Sequence, residues 1–325
     1  MVDVLKLKYK VEAVDTNGVR IDLSPFLISG AFGENEGELP AYLFISVYNE
    51  KIGNKWLHQI LALGTPLYVF ADGQEVFRGT IFDWTAQTDP LGSVEVEAYD
   101  NLVYLFKSED DRYYRAGQRA KDVLTDIFRA WNIPIGEIQL PGVALSKQVF
   151  RAMSVADMIE SILKECKNKG AGEYIVRSIK GKVNVLKKMS NQDVYVFKYD
   201  ENVVSVRNNL SISNLVTRVR VIGAEDEEGR APVIVTLDGD TKYGILQKIE
   251  KAASDDSLAD AKAHAKEILN ESGKPKRRIT VETVDVPFIR KGDKVKIVAG
   301  TVNGYCEVLS VEHDIGRKSM RMEVK

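Results

Sequence analysis

The sequence predicts an α+β protein that is mainly β, with two β-barrel-like domains separated by a smaller α+β domain. From Val4 to about Tyr99 the apolar residues alternate or form short β-branched and aromatic runs, which is typical of strands. In the middle of the chain the apolar spacing becomes helical, and from Glu201 onward it returns to that of strands. These changes place the domains at 1–108, 109–200 and 201–325.

The first domain is predicted to be a β-barrel or sandwich. Its expected strands are LKLKYKVEAV, YLFISVYN, PLYVFADG, EVFRGTIFDW and SVEVEAY. Turn signals separate them at Thr16-Asn17-Gly18, at Asp72-Gly73 and at Asp89-Pro90-Leu91-Gly92. Since Asp-Gly favours the tight turns of hairpins, Asp72-Gly73 is expected to join two adjacent antiparallel strands.

The middle domain is predicted to hold two helices and a hairpin. In QRAKDVLTDIFRAWNIP the apolar residues lie on one helical face and Pro134 ends the pattern. A second helix is expected to begin after Ser154 as N-cap and to stop at Gly170. The hairpin EYIVRSIKGKVNVLKK should turn near Lys180-Gly181, and this hairpin together with VYVFKY is expected to cover both helices.

The last domain is predicted to be a second β domain that contains one helix. Its expected strands are NLVTRVRVIGA, APVIVTLDG, KRRITVETV, DKVKIVAG, GYCEVLSVEH and SMRMEVK. The inserted helix spans about 257–272, with Ser257 as N-cap and Gly273 as its end. Its apolar stripe is expected to comprise Leu258, Ala261, Ala265, Ile268 and Leu269.

Composition argues against several classes of function. The 45 Lys plus Arg residues nearly balance the 47 Asp plus Glu residues and leave a net charge of -2, so neither a nucleic acid nor an anionic membrane is the default partner. No apolar run suits a signal peptide or membrane span, so a soluble protein made in the cytoplasm, with no membrane anchoring, is expected. The two cysteines, Cys166 and Cys306, are expected to be buried free thiols.

No catalytic or cofactor motif is present in the sequence. The three histidines lack metal-ligand spacing, and the Gly-rich phosphate loops and the nucleophile elbow are missing, so no metal and no cofactor are expected. Acidic clusters occur at 34–38, 109–111 and 238–240. A glycosidase could use two such carboxylates, but solvated loop charge is the favoured interpretation. The basic run Lys274 to Arg278 is interpreted as a solvated helix exit.

Several stretches resemble a known family. The segments EVFRGTIFDW, EVEAYDNLVYLFKSE and AKDVLTDIFRAWNIPIGEI are similar to the hub proteins of contractile phage tails, in particular the XkdQ/YqbQ group of phages, defective prophages and phage-tail-like bacteriocins. The segments NLVTRVRVIGA, AKEILNESGKPKRRITVE, IRKGDKVKI and GYCEVLSVEHDI follow in the same order as in that group. The resemblance is carried by many moderate matches along most of the chain.

The resemblance implies a structural role rather than catalysis. Such hubs form a homotrimer in which each chain gives two tube-like β-barrel domains to a pseudo-sixfold ring, between the hexameric tail tube and the trimeric central spike. The implied partners are further copies of the chain, the tail tube protein, the spike protein, neighbouring baseplate proteins, and the tape-measure protein or DNA in the channel. The implied location is the bacterial cytoplasm during assembly and then the tail baseplate of a virion or phage-tail-like particle.

Candidate interface residues are chosen from strand ends and loops. They are Phe32, Glu34, Glu36, Arg78, Asp89, Tyr104, Arg218, Arg220, Arg290 and Lys291. The segment LVYLFKSE is expected to attach the helical domain to the first barrel through Leu102, Tyr104, Leu105 and Phe106. Two other functions remain open: a cell-wall glycan-cleaving enzyme, and a barrel module that binds glycans or oligonucleotides and would expose aromatic residues on one strand face.

Overall fold

The computed structural model describes residues 6–87, 92–225, 227–252 and 257–325. Strands hold 48% of the residues and helices 16%, so the prediction of a mainly β protein is confirmed. The candidate residue Asp89 and the predicted turn around it, apart from Gly92, lie outside the described residues. No helix within these ranges is long and apolar enough to cross a membrane.

The elements are numbered in chain order. The strands are β1 Tyr9–Val14, β2 Arg20–Asp22, β3 Leu27–Glu34, β4 Ala41–Tyr48, β5 Lys51–Ile52, β6 Lys55–Trp56, β7 Pro66–Ala71, β8 Gln74–Gln87, β9 Ser93–Tyr99, β10 Glu109–Tyr114, β11 Ile135–Ile138, β12 Gln148–Ser154, β13 Tyr174–Ile179, β14 Lys182–Lys187, β15 Val196–Lys198, β16 Val203–Ser211, β17 Arg218–Ile222, β18 Val233–Asp238, β19 Gln247–Lys251, β20 Lys276–Val284, β21 Lys294–Ala299, β22 Val302–Asp314 and β23 Ser319–Val324. The helices are α1 Leu57–Ile60, α2 Val103–Phe106, α3 Ala120–Ala130, α4 Val155–Asn168 and α5 Leu258–Ser272, with a 3-10 turn at Ser24–Phe26.

The chain forms two compact units. The main unit contains residues 1–206 and 280–325, and the inserted unit contains residues 207–279. The predicted division into domains at 1–108, 109–200 and 201–325 stays a prediction.

In the main unit, the N-terminal strands form an antiparallel sheet in the order β1-β7-β8-β9-β4-β3, with β2 beyond β1. The hairpin predicted at Asp72-Gly73 joins β7 to β8, and both of its residues have positive φ (48° and 79°), as the tight turns of hairpins require. In β7 and β9 the residues alternate between buried and partly buried, because one face of the sheet packs on the core. That core includes Leu43, Val69 and Phe77.

The C-terminal strands of the main unit repeat this order. They lie in the order β15-β21-β22-β23-β20-β16. Numbered along the chain, both sets of six strands have the spatial order 1-4-5-6-3-2. The long strand β22 pairs β21 along its first half and β23 along its second half, and it also pairs β3. The two sets of six strands and β2 therefore form one 13-stranded sheet.

Both predicted helices of the middle segment, α3 and α4, are present. The side chain of Ser154 accepts a hydrogen bond from the backbone of Asp157, as the capping prediction required. The β13–β14 hairpin turns at Lys180-Gly181 and packs Val176, Val183 and Val185 against both helices. The other predicted cover, VYVFKY, is wrong: β15 lies on the free edge of β21 and pairs with it in parallel, where its backbone groups find partners.

The inserted unit is a three-stranded sheet, β18-β17-β19, with α5 against one face. Val219 and Val221 of β17 pack on Ala261, Ala265 and Ile268 of α5. Ser257 and Asp260 form the predicted capping box, and Gly273 ends the helix. Leu258, predicted for the buried stripe, is 52% exposed because it lies in the first turn, N-terminal to the part of the helix that meets the sheet.

Candidate functional site

Glu34, Arg290 and Lys291, which were chosen separately from the sequence, meet in one buried cluster. Glu34 ends β3 and is only 2% exposed. It accepts hydrogen bonds from Nε (2.8 Å) and Nη2 (2.9 Å) of Arg290 and from the backbone N–H of Lys291 (2.9 Å). The interpretation of Glu34 as solvated loop charge is therefore wrong, because a guanidinium 256 residues away in sequence pairs with it inside the protein.

The middle segment of the chain contributes to the same cluster. Arg177 of β13 donates Nε to the carbonyl of Lys291 (2.8 Å) and Nη2 to the carboxylate of Asp293 (2.7 Å). Asp293 also accepts the backbone N–H of Arg290 (2.8 Å). The Nζ of Lys291 donates to the carbonyls of Asn35 (2.9 Å) and Glu38. The cluster thus joins all three predicted domains through paired charges.

The charges in the cluster shift the pKa values of its members. Burial by itself would raise the pKa of Glu34, but the charge and hydrogen bonds of Arg290 outweigh it and lower this pKa to about 2. Burial raises the pKa of Asp100 to about 7, although this carboxylate accepts backbone N–H groups from Ala41 (3.2 Å) and Leu102 (3.0 Å). Glu34 therefore stays ionised at neutral pH, whereas Asp100 keeps its proton to a higher pH than an ordinary aspartate does.

Phe32 belongs to a second buried polar group, where β3 meets β22. Its ring stacks on His313, with 4.6 Å between the ring centroids. Nδ1 of His313 lies 2.7 Å from Asp285, and Nε2 lies 3.1 Å from the carbonyl of Ile289. Tyr9 of β1 donates its hydroxyl to the same Asp285 carboxylate. Both ring nitrogens of His313 therefore lie within hydrogen-bonding distance of an oxygen of the main unit.

Arg78 lines the same small pocket as Asp100 and Arg290 of the buried charge cluster, whereas Tyr104 lies on the surface. Arg78 is bonded to Glu75 (2.7 and 3.1 Å) and lies 5.1 Å from the centre of the Tyr68 ring. Tyr104 is 48% exposed and contacts Phe82 of β8, with 5.6 Å between ring centroids.

The short helix α2 joins the helical segment to the first set of strands, as predicted. Leu102 and Leu105 are fully buried in the core that the middle helices share. Tyr104 of the same helix meets the β8 residue Phe82. The segment 102–106 therefore contacts both the core of the middle helices and strand β8.

The remaining described candidates lie in an exposed turn of the main unit or in the inserted unit. Glu36 is exposed in the β3–β4 turn. In the inserted unit, Arg218 makes two hydrogen bonds to Asp238 (2.5 and 3.0 Å). Arg220, two residues further along β17, has a buried Nε with no acceptor among the described residues.

Sequence reasoning missed Arg177, Asp285, His313 and Tyr9. Each lies in a strand or loop without a motif, and its partner is distant in sequence. The only available signal was an ionisable residue within an apolar pattern, as with Arg177 in YIVRSI. These residues act as structural connectors, since each makes hydrogen bonds within the chain.

The described part of the chain offers no set of three or more His, Cys, Asp or Glu side chains that could hold a metal ion. Cys166 and Cys306 are both buried and neither forms a disulfide, as predicted. Two acidic residues available to a glycosidase are already bonded to arginines, Asp110 to Arg112 at 2.7 Å and Asp238 to Arg218.

Comparison with known proteins agrees with the resemblance found in the sequence. The chain is 27% identical over 222 residues to the uncharacterized protein YqbQ of Bacillus subtilis, covering 68% of this chain and 67% of that protein. It is 28% identical over 227 residues to the phage-like element PBSX protein XkdQ of Bacillus subtilis, covering 69% of each.

A solved structure shares the fold. The 43 kDa tail protein of prophage MuSo2 from Shewanella oneidensis matches with a TM-score of 0.72 over 98% of both chains, at 10% identity. At such low identity the match establishes the fold alone. The YQBQ-like family model matches residues 37–325, and the chain therefore belongs to the YQBQ-like family.

Proposed function

We propose that the protein is a structural baseplate hub of a contractile phage tail or phage-tail-like particle, which joins the hexameric tail tube to the trimeric spike and forms part of the central channel. The observation that carries this proposal is the repeated strand order of the main unit. A trimer whose chains each present two similar β lobes offers six similar surfaces to the tube and three identical ones to the spike.

The two sets of strands agree in detail as well as in order. Each contains a long strand, β8 with 14 residues and β22 with 13, and each long strand has a register shift near its middle. In both, a two-residue turn precedes the long strand, at Asp72-Gly73 and at Gly300-Thr301. This agreement supports a lobe from 1–108 and a second lobe from 201–325, to which β15 (Val196–Lys198), at the end of the segment 109–200, adds the edge strand.

The two sets of strands also differ in two places. The β3–β4 connection is a short turn, whereas the corresponding strands β16 and β20 are connected through the inserted unit. At the sheet edge, β1 runs antiparallel to β7, but β15 runs parallel to β21. Similar but non-identical lobes are what a sixfold-to-threefold junction requires of one polypeptide.

A hub must also resist deformation, and the buried charges support this role. Glu34, Arg177 and Arg290 connect three segments that are far apart in sequence. A fully paired buried cluster loses its hydrogen bonds if any one segment moves, so it favours a single arrangement of the three.

We propose as partners further copies of the chain in a homotrimer, the tail tube protein, the spike protein, neighbouring baseplate proteins, and the tape-measure protein or DNA in the channel. The proposed location is the bacterial cytoplasm during assembly and then the tail baseplate. The candidate interface residues compatible with contacts between proteins are those on accessible surfaces, such as Glu36 and Tyr104.

We also propose that the chain is not an enzyme. The glycan-cleaving alternative needs two carboxylates across one cleft, yet Glu34 is buried against Arg290 and Asp110 is bonded to Arg112. The other alternative, a binding module, would expose aromatic residues on one strand face. Tyr305 (63% exposed) and Tyr199 (64% exposed) are the residues to test for this role.

The decisive experiment is negative-stain electron microscopy of the purified chain, alone and mixed with its cognate tube and spike proteins, with end-on views averaged. Rings of three chains with six lobes, seated between tube and spike, are the expected result. Single particles that never join either protein would refute the hub, and peptidoglycan hydrolysis and glycan-binding assays on the same sample would then decide between the alternatives.

A further inference from the structure

The inserted unit contains a groove of about 290 Å³. It lies between the end of α5 and the parts of β16 and β20 that belong to the inserted unit, within residues 207–211 and 276–279. Its lining residues are Asn209, Ser211, Asn214, Leu215, Glu271, Ser272, Lys274, Lys276 and Arg278. The groove is separate from the buried charge cluster of the main unit.

The cations of the groove share one side of β20. Lys276 and Arg278 are two residues apart, so both point to the same face of the strand, and Lys274 continues this spacing just before it. Side chains at this spacing are about 6.6–6.8 Å apart along a strand. Arg277 lies between them and points the other way, where its Nε donates to Asn208 (3.1 Å).

The lining is electropositive and rich in hydrogen-bond donors. Three cationic side chains face one carboxylate, that of Glu271, so the lining carries three positive charges against one negative, a net +2. The amides of Asn209 and Asn214 and the hydroxyl of Ser272 add donors. Lys274 also complements the negative end of the α5 dipole, but Lys276 and Arg278 lie on the strand beyond the last helical turn.

We propose that this groove binds phosphate groups. Lysine and arginine side chains held at regular spacing, together with amide and hydroxyl donors, are the chemistry that recognises phosphate oxygens. The phosphates could come from two sources, a free phosphate compound or the backbone of a single-stranded nucleic acid. The alternative is the interpretation of 274–278 as a solvated helix exit, and the proposal does not depend on the hub function.

The test measures binding of a fluorescently labelled oligo-dT to the purified 325-residue chain by fluorescence anisotropy at several salt concentrations. Unlabelled pyrophosphate is the competitor. The binding variant is Lys276→Gln/Arg278→Gln. The matched control is Arg277→Gln, which removes one cation from the same strand but from its opposite face.

If a nucleic-acid backbone supplies the phosphates, oligo-dT binds the unmodified protein. In the double variant the slope of the logarithm of the binding constant against the logarithm of the salt concentration becomes less steep by about 1.4, or about 0.7 for each cation removed. The Arg277→Gln control keeps the parent affinity within about twofold, while the double variant loses about tenfold or more. If a free phosphate compound is the source, pyrophosphate binds by calorimetry with the same dependence on Lys276 and Arg278, and oligo-dT does not bind.

Two results overturn the proposal. One is that neither oligo-dT nor pyrophosphate binds the unmodified protein. The other is that Arg277→Gln weakens binding as much as the double variant, which would indicate diffuse charge. The charge-preserving variant Lys276→Arg/Arg278→Lys guards against misfolding, because it must retain binding. Ring formation in electron microscopy is scored separately, so failure of this site and failure of the hub are distinguishable.

Discussion

Removing Arg290 is expected to destabilise the main unit strongly. The Glu34 side chain is only 3% exposed and would keep a single hydrogen bond, from the backbone of Lys291. Its pKa of about 2, against an ordinary 4.5, corresponds to roughly 3–4 kcal/mol at about 1.4 kcal/mol per pH unit. Loss of one partner from a buried pair costs roughly 3–5 kcal/mol. We therefore expect Arg290→Met to cost about 3 kcal/mol.

The partner variant Glu34→Gln is expected to cost less, about 2 kcal/mol, because the Arg290 side chain is 19% exposed and can reach water. The double variant Glu34→Met/Arg290→Met should recover much of the loss, since two apolar side chains leave no buried charge unpaired. The coupling between the two sites then measures the pair itself.

Urea unfolding followed by tryptophan fluorescence is the appropriate assay, because Trp56, Trp84 and Trp131 all lie in the main unit. Lys198→Met is the matched control: it breaks an exposed pair with Glu201 and should cost no more than about 0.5 kcal/mol.

The pH dependence gives a second readout of the same pair. Because the pKa of Glu34 is lowered in the folded state, its contribution is present above pH 4.5 and is lost as the pH falls towards 2. Arg290→Met should lose this part of the acid sensitivity. A cost below about 1 kcal/mol, or one equal to that of Lys198→Met, would refute the assignment of the cluster as a structural connector.

Three further predictions concern the main unit. Gly33→Ala should cost about 2–3 kcal/mol in urea unfolding because its Cβ would lie 2.2 Å from the Val311 carbonyl, whereas Gly304→Ala, which meets nothing within 4 Å, should be nearly neutral; equal costs would contradict the close approach of β3 and β22. Asp100 binds its proton more tightly in the folded state, so stability should fall as pH rises from 4.5 to 7, and Asp100→Asn should flatten that slope by up to about 1.4 kcal/mol per pH unit; an unchanged slope would contradict the raised pKa. Ser154→Ala should cost about 1 kcal/mol by loss of the α4 cap, and Ser154→Asp should restore it; a failure to restore would exclude capping as the cause.

The parts of the fold that were predicted correctly depend on neighbouring residues. The turn at Lys180-Gly181 and the caps at Ser154 and Ser257 involve residues within a few positions of one another. Their geometry is set by backbone preference and by side chains that reach the adjacent turn, so the sequence is sufficient to locate them.

The parts that were missed depend on partners far along the chain. The short strand β15 was assigned to the wrong neighbour because three residues carry too little pattern to identify a partner. Leu258 was assigned to a buried stripe on helical spacing alone, although spacing does not show how far a helix overlaps its sheet.

By itself, therefore, the sequence determined the mainly β class, the principal strands and helices and their turns and caps, and the similarity to the XkdQ/YqbQ group, since these follow from local periodicity or from residue identity. Only the tertiary structure decided that β22 pairs β3, that two sets of strands repeat one order, and that Glu34 is a buried partner of Arg290. Charged residues look alike in sequence whether solvated or buried, because the counter-charge that makes burial tolerable is brought near only by folding.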